Sequence, residues 1–210
     1  MINFVTDNNI EYNFTDSEQM LRDNSANAIA NFIDWTSPQI EQVGIELNNF
    51  CNGICGFCPA NKKVDIRKHE VMSQGVLDKV IHDLKSIDYK GGFCLSINNE
   101  PLLKSDFIMD IKKIRSFFPK NRIAFYTNGT LLTKDFLLQA IELVDEITID
   151  QYDYSGHQKL NKNIKEIINQ NFTLLSKSKC NVFLFVQNPN LVKLNRGGAL
   201  SEYKKPPPSF

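Results

Sequence analysis

Val43-Gly44-Ile45-Glu46-Leu47-Asn48-Asn49-Phe50-Cys51-Asn52-Gly53-Ile54-Cys55-Gly56-Phe57-Cys58-Pro59 is the stretch from which the architecture of this 210-residue chain can be read. Its first five residues alternate apolar with small or polar side chains, the pattern of a half-buried strand, and a loop with three cysteines follows directly. In parallel α/β sheets ligands sit where strands run out at their carboxyl ends, so this loop is placed for chemistry.

The same rhythm recurs downstream. Ser73 predicts a cap for a helix whose Val76, Leu77, Val80, Ile81, Leu84 and Ile87 recur at helical spacing. Gly91-Gly92 breaks the chain before a short apolar strand over Phe93–Ile97. Ser105 caps the next predicted helix, with Ile108, Ile111, Ile114, Phe117 and Phe118 inward and Pro119 past its end. Strands follow at Ile123–Tyr126, Ile147–Ile149 and Cys180–Val186, separated by helices at about 134–144, capped by Thr133, and about 160–169. Strand and helix thus alternate four times before a last strand. That order predicts a parallel sheet with helices outside it, either an open doubly wound sheet or part of a (β/α) barrel. The predicted carboxyl ends gather Asn48–Pro59, Asn98–Pro101, Thr127-Asn128-Gly129, Asp150–Asp153 and Gln187-Asn188-Pro189 on one rim.

Residues 1–40 read as an N-terminal extension, a hairpin around Asp7-Asn8-Asn9 followed by a helix near Ser17–Trp35. Residues 41–195 form the core, and 196–210, with Pro206-Pro207-Pro208, form an extended tail. Lys and Arg number 24 and Asp and Glu 24, so no overall field draws the chain to nucleic acid or to a membrane. The longest apolar runs, such as Val182–Val186, are far too short to span a bilayer, and the amino-terminal residues lack a signal-peptide pattern. The expected location is cytoplasmic.

Cys51, Cys55 and Cys58 form a C-x3-C-x2-C loop with Gly53 and Gly56, and three close thiolates on a pliable loop can hold three corners of an iron–sulfur cube. Ordinary electron-transfer clusters use four cysteines. A three-cysteine loop therefore leaves one iron open to another ligand. A structural zinc site with His69 as the fourth ligand is the competing reading, although His69 lies in the polar stretch Ile66-Arg67-Lys68-His69-Glu70. Cys94 and Cys180 lie in apolar segments and read as small buried hydrophobes.

The loop directly after a first strand, with Phe57 before its last cysteine, resembles the radical S-adenosylmethionine (SAM) superfamily. Pro59 resembles the Cys-Pro of its SPASM/twitch branch. Leu95-Ser96-Ile97-Asn98-Asn99-Glu100-Pro101-Leu102-Leu103 is similar to the family's Gly-Gly-Glu-Pro segment, and Tyr126-Thr127-Asn128-Gly129 to its third strand exit. Ile147-Thr148-Ile149-Asp150 stands where the family often has Ser-x-Asp, and Asn195-Arg196-Gly197-Gly198 resembles the approach to an accessory cluster domain. The resemblance implies a partial, open TIM-like (β/α) barrel of about five parallel strands with outer helices. It implies a [4Fe–4S] cluster on Cys51, Cys55 and Cys58, with SAM chelating the open iron and cleaved to methionine and a 5′-deoxyadenosyl radical that takes a substrate hydrogen. It further implies that Glu100, with the backbone of Asn98 and Asn99, meets the methionine amino group. Asn128, Thr148 and Asp150 would hold the methionine or ribose part, and Phe57 would flank the adenine. The implied partners are a small polar metabolite or peptide as substrate and a low-potential electron donor such as a flavodoxin or ferredoxin.

Plainer readings stand beside these. Glu100 before Pro101 and Asn128-Gly129 are ordinary turn residues, Thr148 and Asp150 can simply end a strand, and Tyr152, Asp153, Tyr154 and His157 fit an exposed loop. Arg196 reads as a surface arginine before it reads as an anion contact. Two departures also bear on function. Asn98-Asn99 replaces the glycines that let backbone approach a ligand. The chain also ends about where the resemblance expects accessory cysteines, which suggests a truncated or short form with an open sheet edge. The alternative to an enzyme is accordingly a non-catalytic iron–sulfur or SAM-binding module, a remnant of such an enzyme.

Overall fold

The computed structural model describes residues 40–55, 58–60, 62–63, 65–151 and 162–186. Five strands, β1 (Gln42–Gly44), β2 (Gly92–Cys94), β3 (Ile123–Thr127), β4 (Glu146–Gln151) and β5 (Asn181–Val186), make one sheet. They lie in the spatial order β1-β2-β3-β4-β5, every neighbouring pair parallel. This order separates the two architectures that alternation alone left open. A doubly wound sheet reverses its strand order at a switch point. Here each strand lies beside its neighbour in sequence, so the sheet is a partial, open (β/α) barrel.

Helices α1 (Gln74–Ser86), α2 (Phe107–Phe117), α3 (Lys134–Ala140), α4 (Lys162–Gln170) and α5 (Phe172–Lys177) complete the described elements, with a single 3-10 turn at Pro101–Leu103. Successive strand residues face opposite sides, and the two sides differ sharply. Phe93, Leu95, Ile123, Phe125, Ile147, Ile149 and Val182 are buried in one core with Leu77, Ile81 and Leu84 of α1, Ile111 and Ile114 of α2 and Leu137 of α3. Each such side chain removed from water stabilises the fold by about 1.5–3 kcal/mol. The alternate residues belong to the other face, where Cys94 sits beside Ala124 and Ala124 beside Glu146. Further up that face, Tyr126 sits beside Thr148, and Thr148 beside Phe183. Tyr126 and Phe183 remain 41% and 43% exposed, so this wall is open to a ligand.

The local signals behave as their chemistry predicts, with instructive differences. Ser73 and Thr133 do cap α1 and α3, accepting from the backbone N–H of Val76 and Phe136. The capping position of α2 is Asp106, not Ser105, and its side chain makes no capping bond. The Asp106 carboxylate is instead held by Lys104 Nζ at 2.5 Å. Val76, Ile87 and Phe117, all expected inward, are about half exposed. The predicted helix over 160–169 is α4, and the separate short helix α5 after Asn171 was not anticipated. Cys180 is buried, which pushes its thiol up to about 12. Cys94 is also buried but belongs to the concave parity, its thiol donating to Ser96 O at 3.0 Å. The hairpin and helix expected within 1–40 and the tail expected at 196–210 lie outside the described residues, apart from Ile40.

The amino-terminal ends of the strands are closed by Arg115, which donates to Leu143 O, Asn121 O and the Asp145 carboxylate at 2.6–2.8 Å. On the helical side, Lys104 is buried against Asp110 (2.7 Å), whose other oxygen accepts from Gln74 of α1 at 2.7 Å. Burial alone would lower the lysine, but Asp106 and Asp110 outweigh it and hold the ammonium above its ordinary range. Removing one partner of such a pair strands the other charge. Lys104→Met is expected to lower unfolding free energy by about 3–5 kcal/mol, and Lys104→Met with Asp110→Leu to recover most of it. Urea denaturation of the three proteins checks this, and equal midpoints for wild type and Lys104→Met would show that the pair carries no stability.

Candidate functional site

The carboxyl ends of the strands bring the cysteine loop, the Asn98–Glu100 turn and the Thr127–Thr130 turn together. The loop is closed at its base like a lasso. Met72 N donates to Leu47 O (2.9 Å), Asn49 N to Glu70 O (3.1 Å), and Asn48 and Val71 form an antiparallel bridge. Asn49 doubles this clasp, its Oδ1 accepting from Glu70 N at 2.8 Å and its Nδ2 donating to Lys68 O at 2.9 Å. Arg67 adds a two-pronged grip on Asp65 and donates to Asn49 O at 2.9 Å. That grip holds the Asp65 carboxyl down at about 2. His69 stacks on Phe50 with ring centroids 5.0 Å apart, on the clasp side of the loop.

Inside the lasso Cys55 is buried and Cys51 and Cys58 are half-buried, and none of the three is in a disulfide. Burial raises the Cys51 thiol first, the Gly53 N–H at 3.2 Å from its sulfur opposes this, and the nearby Glu100, Cys55 and Cys58 raise it further. Cys58 N donates to Cys55 O at 3.1 Å. Among the described residues no three of His, Cys, Asp and Glu meet at the spacing of a single metal ion. A cubane cluster holds its cysteine sulfurs farther apart than one ion does. The donor set fits that group: three thiols on one closed loop, with a backbone N–H already directed at one sulfur.

Glu100 is the most constrained residue of the site, only 1% exposed. Its Oε1 accepts from Thr127 Oγ1 (2.7 Å) and Leu102 N (3.1 Å), and its Oε2 from Asn128 N (2.7 Å). A carboxylate has about four lone-pair positions, so one on Oε2 takes no bond from the described residues. Burial is the largest influence on its carboxyl and pushes it up, the three hydrogen bonds pull it down, and nearby Asp150 adds to the rise.

The third strand ends in a turn fixed by its own side chains. Gly129 has φ +70, and a Cβ there would meet Ile164 Cδ1 at 2.5 Å and Ile149 Cγ2 at 2.9 Å, so glycine is required. Gly129 N donates to Thr127 Oγ1 at 3.0 Å. Asn128 Nδ2 donates to Asn52 Oδ1 (2.7 Å) and lies 3.9 Å from Cys51 Sγ, while Asn52 Nδ2 donates to Thr130 Oγ1 (2.8 Å). Thr130 returns the bond to Asn128 Oδ1 at 2.7 Å, closing a polar ring between cysteine loop and turn.

Of the residues singled out in the sequence, Cys51, Cys55, Cys58, Asn98, Asn99, Glu100 and Asn128 share this rim. Thr148 and Asp150 share the concave parity of β4, with Asp150 buried and close enough to Glu100 to influence it. Phe57, the 152–161 loop with Tyr152, Asp153, Tyr154 and His157, the exit of β5 and Arg196 lie outside the described residues. Sequence reading placed Asn48, Asn52 and Thr127 on the rim but assigned no role to them or to Glu46, Ser96 and Thr130. Glu46 accepts from Asn98 N at 2.6 Å, and Ser96 Oγ from Tyr126 N at 2.6 Å. The missed signal was period two. Glu46, Asn48 and Ser96 are polar residues at alternating positions beside apolar ones.

Comparison with known proteins agrees with this arrangement. Residues 45–173 match the family model of the Radical SAM superfamily. The S-adenosyl-L-methionine-dependent 2-deoxy-scyllo-inosamine dehydrogenase of Niallia circulans is 24% identical over 159 residues, 75% of this chain and 60% of that protein. The crystal structure of BtrN in complex with AdoMet and 2-DOIA superposes with a TM-score of 0.63 at 26% identity, over 76% of this chain and 61% of the other. The fold of native anSMEcpe with bound AdoMet is also similar, with a TM-score of 0.52 at 15% identity over 68% of this chain and 42% of the other. The chain therefore spans about 60% of the length of the curated relative it matches. The family match runs over more than half of the sequence and over the elements that carry the rim, and this chain belongs to the radical SAM superfamily.

Proposed function

We propose that this chain is the catalytic core of an enzyme that holds a [4Fe–4S] cluster on Cys51, Cys55 and Cys58, binds SAM, and removes a hydrogen from a small polar substrate. The observation that carries the reading is Asn128, whose N–H is held by the buried Glu100 carboxylate at 2.7 Å and whose Nδ2 lies 3.9 Å from Cys51 Sγ, at the carboxyl end of an open barrel. When bound, such a cluster supplies one electron and an iron position without a protein ligand.

The protein's own groups then bind and orient. Glu100 holds the Asn128 backbone and offers its remaining Oε2 acceptor position toward the methionine ammonium, with the Asn98-Asn99 backbone beside it. Asn128 spans from this turn to the cysteine loop, while Thr148 and Asp150 offer hydroxyl and carboxylate acceptors from β4. Phe57, next to Cys58 in sequence, serves as an apolar flank for the adenine. The half-exposed Tyr126 and Phe183 make the wall on which a substrate rests. The dehydrogenase relative supports oxidation of a hydroxylated, amine-bearing ring over modification of a peptide. A flavodoxin- or ferredoxin-type protein is the proposed electron source. Cys58-Pro59 supports placement near the SPASM/twitch branch.

Anaerobic reconstitution with iron and sulfide, followed by dithionite and SAM, is expected to yield 5′-deoxyadenosine and methionine. The Cys51→Ala/Cys55→Ala/Cys58→Ala chain should yield neither. A cluster with SAM bound but uncleaved, even with candidate aminocyclitols present, would favour the non-catalytic module; failure to assemble any cluster would overturn the proposal.

Glu100 makes a separate prediction. Glutamine offers one acceptor oxygen, so Glu100→Gln turns an NH2 toward Leu102 N–H or Asn128 N–H and is expected to cost about 1–3 kcal/mol. The folded-state carboxyl lies above its ordinary 4.5, so the native chain binds more protons than the unfolded one in that window. Its contribution to stability is therefore greatest below the ordinary value and declines as pH rises through the raised one. The difference in urea midpoint between wild type and Glu100→Gln, measured from about pH 4 to about pH 8, should therefore narrow as pH rises.

A further inference from the structure

The Asn48 side chain lies at the crossing of four segments, and its residue is only 1% exposed. Its Nδ2 donates to Phe50 O and to Glu100 O, both at 3.1 Å, and its Oδ1 accepts from Asn99 Nδ2 at 2.9 Å. Asn99 Oδ1 in turn accepts from Ile97 N at 3.0 Å. Phe50 O, the carbonyl of the residue before Cys51, receives Glu100 N as well, at 3.0 Å. The Asn48 backbone bridges Val71, where the lasso closes. One buried amide thus ties the β1 exit, the first cysteine, the Glu100 turn and the returning strand of the loop.

The chemistry of the position is narrow. Two carbonyl oxygens converge on Nδ2, so an aspartate would place a carboxylate against two acceptors. Serine is a bond short and supplies one donor. Leucine makes none of the three bonds: Phe50 O and Glu100 O then keep only the Glu100 and Leu103 N–H groups, and Asn99 Nδ2 loses its acceptor. The amide orientation is set by its neighbours, because only Nδ2 can donate to carbonyls and only Oδ1 can accept from Asn99. Asn99 stands where the resembled family has glycine, and its side chain is folded back onto Asn48 and Ile97 N.

We infer that Asn48 and Asn99 are coupled positioning residues: their amide pair sets the placement of Cys51 against Glu100, and so the geometry in which the site receives SAM. The step to SAM rests on the function proposed above; the mechanical coupling of loop and turn does not. Asn48 acts through the Phe50–Cys51 peptide and through Glu100 O, and it touches neither ligand itself.

The test uses the full chain with Asn48→Ala, Asn48→Asp, Asn99→Ala and the double alanine variant. Two quantities are measured: SAM affinity, from the change in the electron paramagnetic resonance signal of the reduced, reconstituted protein, and the alkylation rate of Cys51 in the metal-free chain, by iodoacetamide labelling and mass spectrometry. Circular dichroism controls for folding. Loss of the buried bonds should weaken SAM binding roughly tenfold in the Asn48 variants, with iron content retained. Cys51 should be alkylated severalfold faster, while buried Cys180, remote from the lock, should be unchanged. Asn99→Ala should do less than Asn48→Ala, and it should add nothing in the Asn48→Ala background, the signature of a shared interaction.

Equal Cys51 alkylation in all four variants and wild type would overturn the lock, as would additive effects in the double variant. Unchanged SAM affinity alongside faster alkylation would overturn the link to ligand geometry. If wild type itself bound no SAM, the functional proposal would fall, and alkylation would still decide the lock. Should Asn48→Ala fail to fold, Asn99→Ala decides on the same readouts, because it removes only the half-buried partner.

Discussion

A carboxylate that leaves water must be surrounded by donors, and this requirement organises the working end of the molecule. Glu100 meets it with donors from three places: the Leu102 N–H of its own 3-10 turn, the Thr127 hydroxyl at the end of β3, and the Asn128 N–H just beyond. Hydrogen bonds to a charged group are worth about 1.5–3 kcal/mol each, so together they offset much of the cost of burial. In consequence the second and third strand exits are fastened to one another. The turn carrying Asn128 is held facing the cysteine loop, and Gly129 supplies the positive φ that lets it bend there.

The sheet divides labour between its faces. The helix-covered face is mostly hydrocarbon, with Phe107 edge-on to Phe125 at 5.3 Å and Phe93 against Phe118 at 4.8 Å. The concave face carries Glu46, Ser96, Tyr126, Thr148 and Asp150 among small residues such as Ala124 and Gly44. The ends divide labour as well. At the amino-terminal ends Arg115 satisfies carbonyls and Asp145, a purely structural closure. At the carboxyl ends the side chains bond across loops, so the same interactions that stabilise the rim also set the spacing of its thiols and acceptors.

Where expectation and structure part, the cause is tertiary competition for a group that local rules assign elsewhere. Asp106 follows Ser105 as the α2 cap, yet its carboxylate goes to Lys104, because Lys104 is buried and must be paired. Phe117 and Val76 sit at helical spacing with core residues, but the helices present only a narrow stripe to the sheet and leave them at its margin. Cys94 was read as core, and it is buried, but strand parity turns it to the concave wall. The Asn98-Asn99 departure looked like a loss of close backbone approach; folded, the Asn99 amide is turned back onto Asn48.

Much of the architecture was readable from the chain alone, because alternation of period-two and period-3.6 patterns is a local property, as is a C-x3-C-x2-C spacing with glycines between. Those signals determined a parallel α/β core, which loops share its rim, and the three candidate cluster ligands. Local patterns left doubly wound sheet and partial barrel open; the partial barrel that the family resemblance implied is borne out by the strand order, a long-range pairing that no local pattern encodes. The tertiary structure alone revealed the partners of Asn48, Asn52 and Thr127, up to 78 residues away for the Asn52–Thr130 bond and 52 for Asn48–Glu100. A polar side chain between a strand and a loop looks the same in sequence whether it meets water or a distant carbonyl. Burial tells them apart, and burial exists only once the chain has folded.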